Sequence, residues 1–364
     1  MPFWSKDEQT RIDETVNFIV GKLPPAEQAN ARAWLNTFIT ANYGTPAGRK
    51  ILSDAMSTKP ANQAGDKETR AARRALVIVR GDMINSAHPK RMNAPQIMAM
   101  PSGQVISAFA EMLPLFRVFV AQEQGNVALL QQYYDDFKAI PQVFLKKHII
   151  ITQSTPGVGG VGSVQNHNFY LDYKNQAFSM SPPGLTRPPY IVGAGLTIPC
   201  VNVPEIVWAN VPGKGPVPTQ GSFANIPGTR LNGADMMVTS AFSGCSFVFK
   251  RNGAGTFAAH IGPDGTLSNA GVGSIGPAPT LVNQLMATGN FGTPVLARTG
   301  ALNVFGRGRS SLPAFPNGYA VNPMPGMSLI LNSMFIFGIC KSGMWSFYCQ
   351  ENQNGASTVQ KIFG

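Results

Sequence analysis

The sequence predicts an α+β protein, with a helical N-terminal region over residues 1–147 followed by a β-sandwich domain with long loops over residues 148–364. Three observations carry this. Apolar residues recur at helical spacing through the first part of the chain. At His148 that period stops and Gly and Pro become frequent. From there on, short β-branched and aromatic runs alternate with turn signals, at a spacing that suits a sandwich of antiparallel or mixed sheets. A chain of 364 residues is long enough for two such bodies, each with a substantial core.

The helices follow in order. Ser5-Lys6-Asp7-Glu8 has the spacing of a capping box, and Ile12, Val16, Ile19 and Val20 then recur on one face until Gly21. Pro24-Pro25 opens a second helix carrying Ala31, Trp34, Leu35, Phe38 and Ile39, closed by Asn42-Tyr43-Gly44-Thr45-Pro46, and the two are expected to pack as a hairpin. A polar segment over 54–65 precedes a charged helix that starts at Asp66-Lys67-Glu68 and runs through Arg73-Arg74 into Leu76-Val77-Ile78-Val79. Residues 88–103 read as a loop rich in Pro and Met. Residues 105–120 read as a buried helix kinked at Pro114, or as two short helices. A last helix over 125–139 sets Val127, Leu130, Tyr134 and Phe137 on one face, and these aromatics, like Trp34, are assigned to the core.

Strands are expected at 148–152, 169–173, 190–192, 196–203, 206–209, 236–240, 246–250, 256–261, 328–340 and 344–350. Between them, 213–233 and 262–317 read as long loops with one short helix at 280–287.

Bulk properties narrow the function classes. The net charge of +11 raises nucleic acid as a partner, but the positives are scattered. Only Arg70-Arg73-Arg74 and Lys146-Lys147 cluster, without the interleaved aromatics of a base-stacking groove, so nucleic acid is not favoured. Cys200, Cys245, Cys340 and Cys349 lack CxxC spacing and read as free thiols. The N-terminus lacks the pattern of a Sec signal, and no uninterrupted apolar run is long enough to cross a bilayer. The nearest, 328–340, is broken by Asn332 and Ser333, so the chain reads as soluble.

Most chemical motifs fail on context. Gly157, Gly159 and Gly162 match G-x-G-x-x-G, but a strand-like run follows where a dinucleotide site needs a helix, so a linker is expected. There is no Walker A, no His-Glu-x-x-His and no His pair at metal spacing, so no cofactor or metal is expected. His88, His148 and His167 are isolated and read as surface or turn residues.

The stretch 236–260 is the exception. Cys245 follows the small turn Ser243-Gly244 and precedes an apolar run, and His260 ends the next run. If the runs pair as an antiparallel hairpin about Asn252-Gly253, thiol and imidazole sit near the same end of neighbouring strands. A cysteine is nucleophilic as the thiolate, so it needs a base and access. His260 is the candidate base, and backbone N–H groups around Gly244 and Cys245 are candidate oxyanion donors. A Cys before Phe-Val-Phe also has the simpler reading of a buried core residue.

Phe242-Ser243-Gly244-Cys245, a strand and then His260 resemble the Leu-Ser-Gly-Cys-then-His signature of the bacterial glutamine deamidase toxins, the cytotoxic necrotising factor and Burkholderia lethal factor group. Thr239 stands where a threonine accompanies Cys and His in the lethal factor and in the related chemoreceptor deamidase. Phe242 departs from the usual Leu, and the match covers about twenty-five residues. The resemblance implies a β-sandwich flanked by helices and hydrolysis of a glutamine side-chain amide in a target protein. In it Cys245 is nucleophile, His260 acid and base, and Thr239 orients His260 or lines the oxyanion pocket. It also implies a toxin or effector delivered by a specialised route, with the N-terminal helices meeting a target, chaperone or delivery system. A protease, amidase or transglutaminase using the same pair, and a non-catalytic β-sandwich binding protein, remain the alternatives.

Overall fold

The structure is a computed structural model. It describes residues 6–45, 67–85, 88–153, 164–182, 184–185, 187–191, 193–203, 205–206, 208–211, 215–218, 224–227, 234–242, 245–252, 255–261, 303–306, 309–310, 312–320, 332–353 and 356–364. The capping box at Ser5, the glycine motif at 157–162 and the short helix at 280–287 lie outside them. Among the described residues the chain is mixed α and β, with seven α-helices preceding the strands.

The helices are α1 (Lys6–Gly21), α2 (Pro25–Tyr43), α3 (Lys67–Leu76, continued by a π-helical turn Val77–Asp82), α4 (Ala94–Ala99), α5 (Ser102–Glu123), α6 (Ala128–Ala139) and α7 (Pro141–Lys147). The strands run from β1 (Ile149–Thr152), β2 (Val164–Asp172), β3 (Ala177–Ser181) and β4 (Leu196–Val203) through short β5 (Glu205–Ile206), β6 (Trp208–Val211), β7 (Gly215–Pro218) and β8 (Ala224–Pro227). They continue with β9 (Met236–Thr239), β10 (Ser246–Asn252), β11 (Gly255–Ile261), β12 (Asn303–Gly306), β13 (Arg309–Ser310), β14 (Met334–Lys341), β15 (Met344–Gln353) and β16 (Ala356–Phe363).

Two compact units divide the chain, and the break differs from the expected one at 147. The first unit takes residues 1–130 together with 171–177 and 190–195; the second takes 131–170, 178–189 and 196–364.

In the first unit α1 packs on α2 and α3, and α3 on α5. The faces read from the sequence are the buried ones: Ile12, Val16, Ile19 and Val20 on α1, Ala31, Leu35 and Ile39 on α2. The expected loop at 88–103 instead contains α4, started by a capping box in which Asn93 and Gln96 exchange backbone and side-chain hydrogen bonds. Helix α5 runs unbroken through Pro114, whose ring is exposed; the expectation of two helices is corrected. By length and composition α5 is also the one helix among the described residues able to cross a membrane. Its apolarity has a local cause, since Val105, Phe109, Met112, Phe116 and Val120 are buried core residues. The basic cluster is largely engaged. Arg73 is buried and donates to Met98 O, and Arg74 pairs with Glu14 at 3.3 Å. Buried Gln122 clamps Leu171, its Oε1 accepting from the backbone N–H and its Nε2 donating to the carbonyl.

In the second unit eight strands form a mixed sheet in the order β1-β3-β2-β4-β9-β14-β15-β16, with β4 and β9 parallel. Its ends approach each other. Gln350 on β15, fully buried, accepts from Ile150 N–H of β1 and donates to Leu145 O and His148 O. That curl makes the sheet barrel-like. A sandwich of two layers is therefore not what the strands show, and the expectation is met only as helices followed by β structure. A six-stranded sheet, β13-β12-β10-β11-β5 with β8 also on β11, meets the first sheet through aromatics: Phe347 lies 5.2 Å from both Phe247 and Phe249.

Several strands escape the sequence reading. Of the expected strand at 190–192, Tyr190 is in a turn, Ile191 is in no strand and Val192 lies outside the described residues, whereas β3 and β16 form where only irregular chain was expected. Strand β16 is amphipathic only weakly, Ile362 being its one fully buried side chain, so it has little apolar pattern to read.

Candidate functional site

Strands β9, β10 and β11 assemble the site. Strands β10 and β11 pair antiparallel as expected, with Phe247 opposite His260 and Ser246 opposite Ile261. Opposite residues share a face of the sheet, and alternation puts Cys245 on the side of Phe247 and Phe249; all three belong to one buried cluster. Cys245 and His260 are thus diagonal neighbours on one face, a separation of about 7–8 Å by ordinary sheet geometry. Cys245 is 4% exposed and His260 fully buried.

The imidazole is held on two sides. Its Nδ1 is hydrogen-bonded to Ser240 Oγ at 3.1 Å, and the Phe242 ring stacks on it at 3.8 Å between centroids. Phe242 is itself fixed by a two-way backbone pairing with Met334 at the start of β14. His260 Nε2 is buried and has no hydrogen-bond partner among the described residues, so no hydrogen bond joins it to the Cys245 thiol. Burial alone lowers the His260 pKa to about 3, so the ring is neutral at pH 7. On the cysteine side, Tyr319 Oη donates to Cys245 O at 2.7 Å and anchors the backbone next to the thiol.

Thr239 is close by but faces elsewhere. Its hydroxyl donates to Ser240 O at 3.1 Å and Ile336 O at 3.5 Å, and its carbonyl accepts from Thr152. The hydroxyl on His260 is Ser240's, because consecutive residues at a strand end point to opposite faces. The expected role of Thr239 in orienting the imidazole therefore passes to Ser240, which the sequence reading missed. The signal available was its position one residue further along the same run. Ser243 and Gly244, the expected oxyanion turn, lie outside the described residues.

Of the other histidines, His88 stands in a turn as one of its two expected readings had it, whereas His167 needs correction. His88 and His167 are buried, not on the surface: His88 Nδ1 accepts from Lys90 N–H in a turn, and His167 sits inside β2. His148 is half-buried, 4.7 Å from the Phe144 ring. The four cysteines carry no disulfide, and all are buried. Burial raises the Cys200 and Cys349 pKa values, with Asp235 and Glu351 respectively adding to the rise. Among the described residues no three His, Cys, Asp or Glu side chains are grouped to hold a metal.

No protein-family model matches the chain, and no curated protein matches it.

Proposed function

We propose that the protein is a cysteine-dependent amidohydrolase acting on the side-chain amide of a protein glutamine, with Cys245 as nucleophile and His260 as base. The observation that carries this reading is the arrangement around His260. Ser240 and Phe242 hold the ring, Nε2 is without a hydrogen bond among the described residues, and Cys245 directly precedes β10 in the same buried cluster as Phe247, the residue opposite His260. The choice of glutamine rests on the Phe-Ser-Gly-Cys-then-His resemblance. On the same reading the two sheets meeting through Phe247, Phe249 and Phe347 serve as the sandwich-type core of that family.

In the reaction, Sγ adds to the carboxamide carbon as its proton passes to His260 Nε2, giving a tetrahedral oxyanion. The C–N bond then breaks, and the imidazolium proton leaves with the amine as ammonia. Water attacks the thioester, its proton passing through His260 back to sulfur, and glutamate and free thiol result. The resting imidazole is neutral, because His260 is too deeply buried to hold a proton. Access to the buried thiol requires movement of the chain around it.

Peptide mass analysis of lysate proteins exposed to wild type and Cys245→Ser tests the reading. Glutamine-to-glutamate conversion is expected with the wild type only, and a peptide cleavage or crosslink in its place would assign the pair to protease or transglutaminase chemistry. Burial favours one rival specifically, Cys245 as a plain core residue of a binding protein. Iodoacetamide labelling separates the two. Catalysis requires Cys245 to react faster than Cys200 and Cys349, and to slow in His260→Ala. Equal rates would leave the core reading standing.

A further inference from the structure

The first unit contains a cavity of about 300 Å³ whose lining residues all belong to that unit. Its size is at the lower end for small-molecule sites. The sequence assigns Trp34 to the core, yet Trp34 and Phe38 are only half-buried, and with Phe119 and Tyr190 they line this cavity. The rings form a connected set: Trp34 stacks on Phe38 at 5.0 Å and meets Phe119 edge-on at 5.1 Å. Two carboxylates, Asp82 and Glu123, line the same space.

We propose that this cavity is a binding site for a small organic cation of the alkylammonium kind. Ring faces carry the negative part of the aromatic quadrupole, and a cation against them is also attracted by the two carboxylates. The protein already places a cation on one of these rings, since Lys174 Nζ sits 4.2 Å from the centroid of Tyr190. Lys174 is exposed, so its ammonium can withdraw to water and leave the ring to a ligand. Asp82 accepts from Tyr43 Oη, and burial holds its carboxyl above the ordinary range against the opposing effects of Tyr43 and Arg91. An incoming cation offsets that desolvation. The lining therefore carries two carboxylates against one mobile ammonium, the reverse of the positive balance of the chain.

The full chain labelled with 5-fluorotryptophan reports on the site, its Trp34 resonance being identified by its loss in Trp34→Phe. Choline should shift that resonance saturably. Its neutral isostere 3,3-dimethyl-1-butanol should bind about tenfold more weakly, the share expected of cation–π and carboxylate attraction. Glu123→Gln should weaken choline, and Lys174→Met, at an exposed position that puts folding at no risk, should strengthen it. Absence of a saturable shift overturns the proposal. So does equal binding of the isostere, which marks a merely apolar pocket, or loss of choline binding in Lys174→Met.

Discussion

His260 links stability to pH. Its folded pKa of about 3 lies below the unfolded value of 6.5, so the unfolded chain binds the proton more tightly. The stability contributed by the neutral ring is complete above pH 6.5 and is lost as pH falls toward 3, by about 1.4 kcal/mol per pH unit in that window. Urea unfolding from pH 7 to pH 4 should show this slope, and His260→Gln should flatten it. An unchanged slope would mean that the ring is protonated in the fold. Ser240 acts through that ring. On the proposed function, loss of the Ser240 Oγ hydrogen bond in Ser240→Ala should slow glutamine hydrolysis about fivefold to tenfold, while Thr239→Val leaves the imidazole in place. The antiparallel pairing of β10 and β11 around His260 was legible from two apolar runs separated by Asn252-Gly253. Ser240 was not, because the choice between two adjacent hydroxyls depends on which face of the strand end each occupies.

Strands β14 and β15 join through Ser342-Gly343, both with positive φ, as a two-residue turn between paired Lys341 and Met344. Gly338 within β14 has a different reason to be glycine. A Cβ there would come within 2.9 Å of Met237 Cβ and 3.0 Å of the Phe347 ring. Gly338→Ala should therefore cost about 1–3 kcal/mol in urea unfolding, and a neutral result would show that the flanking strands β9 and β15 have slack at this point. The long apolar strands were readable from their β-branched and aromatic runs. The expected strand at 169–173 starts late: β2 begins at Val164, in keeping with the strand-like run from Gln165, and its first half is only partly buried and takes its order from pairing with β4. Backbone pairing leaves no trace in side-chain pattern when one face stays wet.

The change of character at His148 is real, but the first unit is not a contiguous stretch of chain. Its helix α5 needs Leu171 for the buried amide of Gln122, and the π-helical turn needs Tyr173, whose hydroxyl donates to Val79 O at 2.8 Å. A fragment ending at 147 lacks both partners, and an unpaired buried amide costs about 1–3 kcal/mol. Such a fragment should exchange its Val77–Asp82 amides quickly, while one extended to 195, which restores Leu171 and Tyr173, should protect them. Composition could not reveal this, since the returning segments are short and the first of them begins within the strand-like β2.

The amide of Gln350 reaches a strand made 200 residues earlier. During synthesis β1 therefore leaves the ribosome long before the residue that closes the sheet around it exists. Until then Ile149, Ile150 and Ile151 are an uncovered apolar strand. Chaperone demand should thus concentrate in the interval between the emergence of β1 and that of β15, and a ribosome stalled before Gln350 should hold a nascent chain still open to proteases.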